Sequence, residues 1–97
     1  KGLYKVYFHQ ILYIKTSGKK TLIHTCQEDI PSNKPMKQHE QLLSHSSFVR
    51  CHASYIVNLR YFQKMEGSSL KLTDGSVLPV SRNRRQLVLA RIRDLYG

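Results

Sequence analysis

The apolar residues of this chain fall into short runs rather than one long helical pattern. Residues Leu3–Ile14 are rich in Tyr, Val, Ile and Phe and predict two strands, with His9 and Gln10 as a break between them. Leu70–Thr73 alternates apolar and polar residues with the period of two that is typical of a half-buried strand. Further strands are predicted at 21–26, 48–49, 55–57, 59–65 and 77–80.

Turn residues separate these runs and predict hairpins. Thr16–Lys20 is a turn with two lysines at its tip, and Glu66–Ser69 is a second turn. Asp74 followed by Gly75 is a strong hairpin signal, because glycine adopts positive φ without steric cost. Gln27–Asn33 is turn-rich and is expected to be the least ordered segment.

Two helices are predicted, a short internal one and a longer terminal one. Pro35–Leu43 suits a short helix, because proline is tolerated in a first helical turn. Ser81 is a suitable N-cap for the terminal helix. The apolar positions expected to face the core are Met36, Leu42 and Leu43 in the first helix and Leu87, Val88, Ile92 and Leu95 in the second. The fold class is therefore mostly β and antiparallel, with residues 1–97 forming one domain.

Charge narrows the choice of partner. Sixteen Lys and Arg against six Asp and Glu give a formal net charge of +10, which attracts polyanions. Nucleic acid is the leading partner, and an anionic membrane surface is second. No apolar run approaches the ~20 residues of a membrane helix, and only two cysteines occur, Cys26 and Cys51. A cytoplasmic protein with reduced thiols is expected. The chain starts without Met, so an excised fragment is plausible.

Catalytic and metal-binding patterns are weak. The acidic residues show no paired general acid and base, and the histidine spacings match no standard zinc pattern. Cys51 and His52 are adjacent on a predicted strand and therefore face apart, which is poor geometry for a nucleophile and its base. We expect no enzymatic activity, no metal and no cofactor.

Basic residues instead form three clusters, each at the end of a predicted strand. The clusters are Lys19 with Lys20, Arg50 with His52, and Arg82 with Arg84 and Arg85. Arginine can bond guanine bidentately and asparagine can do so for adenine, whereas Lys, Ser and His more often hold phosphate. A helix N-terminus at Ser81 and Arg82 would add free N–H groups suited to phosphate. A solvated charged surface remains the alternative for any one cluster.

Three segments in order resemble one family. Phe48–Asn58 resembles the F-x-R-x-H-x-S-x-x-V-N signature of LytTR-type DNA-binding domains, the C-terminal output domains of bacterial LytR/AgrA-like response regulators. Gln10–Ile14 is similar to the early D-I-x-Y-I strand of that family, with Gln10 in place of the acid. Asp74–Arg82 resembles the closing D-G-x-x-L-x-V-S-R segment.

The resemblance implies an elongated, β-sandwich-like antiparallel fold that inserts loops into successive major grooves. The DNA would be promoter direct repeats bound by two copies, and the full-length protein would carry an N-terminal receiver or other regulatory domain. Arg82 would read a base, with Asn83 and Arg85 contacting the backbone beside it. Lys20 or Thr21 would read a base from the first loop. The DNA-contacting residues implied are Lys19, Lys20, Thr21, Arg50, His52, Ala53, Ser54, Ser81, Arg82, Asn83 and Arg85.

Within that set some roles stay open. Lys19 and Ser54 are expected at phosphates, while Arg50 and His52 either touch DNA or support their loop. Ala53 stands where some relatives place a polar base-contacting residue, and its methyl group could meet only a thymine methyl. A basic module that binds RNA or an anionic surface without reading sequence is the alternative function. A third hypothesis makes Cys51 a thiol sensor, against the alternative of a buried, inert cysteine.

Overall fold

The structure is a computed structural model that describes residues 5–43 and 47–97, and these form two antiparallel sheets. The first sheet has the strand order β3-β2-β1-β5-β4, and the second has the order β6-β7-β8. The molecule is elongated, with extents of 40 × 24 × 23 Å. The first sheet contains β1 (Ile11–Ser17), β2 (Lys20–Thr25), β3 (Asp29–Ser32), β4 (Phe48–His52) and β5 (Tyr55–Asn58). The second contains β6 (Phe62–Glu66), β7 (Ser69–Leu72) and β8 (Val77–Pro79).

Two α-helices and three 3₁₀ turns complete the described chain. The helices are α1 (Met36–Leu42) and α2 (Arg85–Tyr96). The 3₁₀ turns are Phe8–Gln10, Leu59–Tyr61 and Arg82–Arg84. The predicted fold class, mostly β with a short internal helix and a terminal helix, is confirmed.

The core consists of two clusters on the first sheet. The larger one joins the two sheets and α2 through side chains such as Leu12, Val57, Leu70 and Val88, all at most 3% exposed. The smaller one lies beneath α1, where Met36 packs with Ile14 and Ile56. The first sheet is thus covered by α1 around Ile14 and Ile56, and by the second sheet and α2 around Leu12 and Val57.

Asn58, at the end of β5, is a buried polar residue that connects three backbone segments. Its amide nitrogen donates to the carbonyl of Ile11 at 2.7 Å, and its side-chain oxygen accepts from the Arg60 N–H at 3.0 Å and from the Ser47 hydroxyl at 2.5 Å. It is only 1% exposed, so these bonds satisfy a group that burial would otherwise penalise. The closing asparagine of the Phe48–Asn58 motif therefore holds the fold together.

Several local predictions are wrong. The segment predicted as least ordered contains β3, which pairs with β2 at the sheet edge, and Pro31 is tolerated there because an edge strand needs fewer N–H donors. Residues 5–10 contain a 3₁₀ turn instead of the first predicted strand, while Leu3 lies outside the described residues. Residues 59–61 also form a 3₁₀ turn before β6.

The predicted helix faces are corrected as well. Leu42 is 59% exposed, although Met36 and Leu43 are buried as expected. In α2 only Val88 is fully buried, and Leu87 and Leu95 are about half exposed. Ser81 does not cap with its side chain, because the 3₁₀ turn Arg82–Arg84 intervenes before α2 begins. The first helix, predicted at Pro35–Leu43, spans Met36–Leu42 with Leu43 as its C-cap.

Candidate nucleic-acid interface

Two hairpin tips of the first sheet lie side by side at one end of the molecule. The first tip joins β1 to β2 at Gly18 and Lys19, and the second joins β4 to β5 at Ala53 and Ser54. Strands β1 and β5 pair directly, and the N–H of Thr16 donates to the carbonyl of Ser54 at 3.0 Å. A backbone bond thus fixes the spacing between the two tips.

The third basic cluster is attached to the same end of the sheet. The N–H of Ser81 donates to the carbonyl of Cys51 at 2.9 Å, so the chain leaving β8 runs beside the end of β4. Arg82 follows directly and is exposed. The three sequence-predicted clusters therefore lie in a row, in the order first tip, second tip, Arg82. We call this surface the basic end, formed by Lys19, Lys20, His52, Ala53, Ser54, Arg82 and Asn83.

At the first tip the lysines point outward and the threonine points inward. Gly18 has φ of 62°, a left-handed conformation that suits glycine, and it allows the tight turn. Lys19 and Lys20 are exposed. Thr21 is 3% exposed, and its hydroxyl contacts the carbonyl of Lys34 at 2.9 Å and the His39 Nε2 at 3.0 Å. Of the alternatives Lys20 and Thr21, only Lys20 is exposed to solvent.

At the second tip, His52 helps to shape the loop. His52 Nδ1 accepts from the Ser54 N–H at 3.0 Å. The ring also meets Tyr55 edge-on, at 5.9 Å between centroids. Ala53 is exposed at the very tip, and Ser54 is half-buried. His52 therefore supports the loop, and its side chain is half-buried.

Arg50 is engaged on both sides by protein groups. One guanidinium nitrogen lies 3.0 Å from a carboxylate oxygen of Glu40 in α1, and the other donates to the carbonyl of Ala53. Its side chain is only 18% exposed. Between the alternatives of DNA contact and loop support, this geometry favours support.

In the third cluster the roles divide between exposed and engaged side chains. Arg82 and Asn83 are exposed. Arg85 donates through Nε to the carbonyl of Gly67 at 3.0 Å, which ties the start of α2 to the β6–β7 turn. The hydroxyl oxygen of Ser81 is buried, and among the described residues it is one of two buried side-chain polar atoms without a hydrogen-bond partner; the other is the Arg50 Nε. Both atoms lie beside the end of β4.

Cys51 does not meet the conditions of the sensor hypothesis. Its side chain is 0% exposed, and burial raises the pKa of the thiol to about 12. A thiol that is protonated and inaccessible is a poor target for oxidants. Cys26 is exposed, but it lies at the opposite end of β2 from the basic end.

Three of the described acidic residues, Glu28, Asp29 and Asp74, lie at that opposite end. His24 lies between two carboxylates, with Nδ1 2.6 Å from Asp29 and Nε2 3.0 Å from Asp74. Asp74 belongs to the β7–β8 turn, so this contact joins the two sheets. Burial lowers the pKa of His24, but its hydrogen bonds to Asp74 and Asp29 raise it more, and the net pKa lies above the ordinary value. Two carboxylates therefore lie at the end of β2 that is opposite the basic end.

Other classes of site receive no support from the described residues. Residues 5–43 and 47–97 contain no group of three or more His, Cys, Asp and Glu side chains that could hold a metal. In the same ranges, no helix combines the length and apolar character that a membrane crossing requires. The aromatic pair Tyr61 and Phe62 packs against the core, so it offers no stacking platform at the basic end.

A β-rich domain with basic hairpin tips aligned at one end is the architecture of a loop-based DNA-binding domain, and comparison with known proteins agrees. The sequence model of the LytTr DNA-binding domain matches residues 1–93. A LytTr DNA-binding domain from Bacillus cereus superposes with a TM-score of 0.74 at 29% identity, covering 95% of this chain and 85% of that one.

Curated relatives agree with this assignment. The transcriptional regulatory protein LytR of Staphylococcus aureus strains N315 and NCTC 8325 is 30% identical over an alignment of 78 residues that covers 75% of this chain. The chain spans 32% of the length of those relatives. The chain belongs to the LytTR DNA-binding domain family. It is a DNA-binding domain of the type found in LytR-like transcriptional regulators.

Proposed function

We propose that this domain reads a specific double-stranded DNA sequence by placing the loops of the basic end in successive major grooves. The observation that carries the proposal is the pair of backbone bonds, Thr16 to Ser54 and Ser81 to Cys51, that holds the three predicted clusters in one row. A row of loops with fixed spacing can meet a duplex without first being ordered, which lowers the entropic cost of binding.

Within the row, we assign base reading to Arg82 and Lys20 and phosphate contact to Lys19, Ser54 and Asn83. Arg82 is exposed at the end of the row, and its guanidinium can bond guanine O6 and N7 together. Lysine and hydroxyl groups more often contact phosphate, which sets register without reading sequence.

Ala53 and Arg85 receive different roles. The exposed methyl group of Ala53 would pack against a thymine methyl, which gives apolar readout where a polar side chain would give a hydrogen bond. Arg85 holds Gly67 and would reach a phosphate only with the guanidinium nitrogens that this bond leaves over.

Promoter direct repeats bound by two copies are the proposed target arrangement. The family membership supports it. We further propose that the full-length protein carries an N-terminal receiver or other regulatory domain, which agrees with relatives about two and a half times as long as this chain. Footprinting on selected DNA should show two protected segments that carry the same sequence in the same orientation. A single protected segment would contradict the arrangement.

Arg82→Ala tests the assignment of base reading. DNA selected from a random pool defines the preferred site, and binding to that site and to a scrambled duplex is then measured. The variant should lose about 1–3 kcal/mol on the preferred site and much less on the scrambled one. Arg93→Ala is the matched control, because it removes the same charge from an exposed position of α2 about 12 Å further along the helix than Arg85. Unchanged base preference in Arg82→Ala would show that the assignment is wrong.

Lys19→Ala tests the phosphate role. It should weaken preferred and scrambled duplexes by the same factor and reduce the slope of log K against log salt by about 0.9, the value for one lost phosphate contact. A selective loss on the preferred site would instead make Lys19 a base-reading residue.

Equal binding of the unaltered domain to preferred, scrambled and single-stranded nucleic acid would favour the sequence-independent alternative.

A further inference from the structure

Arg50 lies next to the basic end, yet its charge is already matched by a carboxylate. Glu40 in α1 contacts one guanidinium nitrogen at 3.0 Å, and the pair is partly withdrawn from solvent, at 18% exposure for Arg50 and 43% for Glu40. Arg91 lines the same cavity of about 120 Å³ and donates to the carbonyl of Phe48 at 3.1 Å. Because Glu40 pairs with its guanidinium, Arg50 is not available as a free cation.

The second guanidinium nitrogen of Arg50 reaches the tip itself. It donates to the carbonyl of Ala53, the residue at the apex of the β4–β5 hairpin. The pairing of β4 with β5 shifts register between Arg50 and His52, so it is irregular just before the tip. The bond from Arg50 to the carbonyl of Ala53 helps to define the loop there. The pair therefore links α1 to the loop that presents Ala53 and Ser54.

We propose that Glu40 and Arg50 are positioning residues for the central DNA-contacting loop, and that Glu40 holds the guanidinium of Arg50 away from DNA phosphate. The proposal rests on the proposed function. Bound to Glu40, Arg50 keeps the carbonyl of Ala53 in place and adds little to sequence-independent attraction. Released from Glu40, the same guanidinium would become a mobile cation beside the phosphate backbone.

Glu40→Gln tests this, because it removes the charge and keeps the shape. Its affinity for scrambled duplex should rise, by up to about eightfold at 0.1 M salt if one phosphate contact is gained, and its salt slope should steepen by about 0.9. Its affinity for the preferred site should rise less or fall, so the ratio of specific to non-specific binding decreases.

Glu28→Gln is the matched control for this change in charge. It makes the same change at an exposed side chain at the opposite end of the molecule, beyond the ~10 Å over which exposed charges interact at this salt concentration. If Glu40→Gln and Glu28→Gln give the same affinities and slopes, the proposal is overturned.

Arg50→Gln separates positioning from direct contact. With the cation gone, binding to the preferred site should weaken while the salt slope stays that of the unaltered domain, because no phosphate contact was present to lose. A slope reduced by about 0.9 would mean that Arg50 contacts phosphate in the native complex, and the proposal would be wrong.

A measurement without DNA distinguishes failure of this proposal from failure of the proposed function. Amide chemical shifts of the free domain should move at Ala53 and Ser54 in Glu40→Gln and Arg50→Gln, and stay unchanged there in Glu28→Gln. If the tip amides move in the variants but the unaltered domain shows no sequence preference, the positioning role of the pair stands and the sequence-reading function is rejected. Unperturbed tip amides would reject the pair.

Discussion

Replacement of His24 by glutamine tests the polar contact that joins the two sheets. The substitution removes two ion pairs, to Asp29 at 2.6 Å and to Asp74 at 3.0 Å, and a ring stacked on Tyr13 at 4.6 Å. Side-chain exposures of 24% for His24, 50% for Asp29 and 34% for Asp74 place each pair among partly solvated ones, at roughly 0.2–1 kcal/mol apiece. A total electrostatic loss of about 1 kcal/mol lowers Tm by roughly 4–8 °C in a domain of this length.

The sign of the pH dependence follows from the raised pKa of His24. In the unfolded chain the imidazole titrates near 6.5, and in the folded protein it titrates higher, chiefly through its bonds to the two aspartates. The stabilisation is therefore fully present below pH 6.5 and is lost as pH rises through the folded value. The pKa of Asp74 is lowered below 3.8 despite burial, because His24 and Ser76 bond to it, so its own contribution is lost only in acid.

The assay is thermal unfolding followed by circular dichroism at pH 5.5 and pH 8.5. The difference in Tm between the native chain and His24→Gln should be largest at pH 5.5 and should shrink at pH 8.5. The difference is needed because buried His39 has a lowered pKa and destabilises both proteins alike as pH falls. A difference that is constant, or larger at pH 8.5, would refute the imidazolium contact between the sheets.

Two further outcomes follow from buried groups. Asn58→Ala should destabilise the domain by about 1–3 kcal/mol, because it leaves the buried carbonyl of Ile11 without its donor. A loss below about 1 kcal/mol in urea unfolding would show that water replaces the amide. In the folded protein a thiol reagent should label Cys26 rapidly and Cys51 only after unfolding, because Cys51 is fully buried with a pKa of about 12; equal labelling rates in native buffer would contradict the burial.

The parts of the fold that followed from sequence were those set by local chemistry. The hairpin turns at Gly18 and Asp74–Gly75 need glycine at positive φ, and this requirement is visible in the sequence itself. Strand β3 was missed because its stability comes from pairing with β2, which no residue within 27–33 reveals. The outward position of Leu42 also depends on tertiary context, since helical spacing alone cannot say which side the sheet occupies.

The interface also combines features that the local sequence predicts with features that only tertiary packing determines. The clustering of basic residues at strand ends was predicted, and the strand order then placed the clusters in one row. The inward position of Thr21 was not predictable, because its partners His39 and Lys34 are distant in sequence and meet it only through packing. Glu40 was also missed as a partner of Arg50, since a single acid in a short helix carries no local signal.

The bonds that align the basic end run from backbone to backbone, Thr16 to Ser54 and Ser81 to Cys51, and so do not depend on which side chains the tips carry. Residues 20, 53 and 82, the proposed base contacts of the three loops, can then be exchanged while the frame that spaces them stays the same. Evolution could change the preferred DNA sequence of such a domain one loop at a time, without rebuilding the fold. For the same reason this scaffold is suited to engineering, in which a small library at the three tips would be selected against new duplexes.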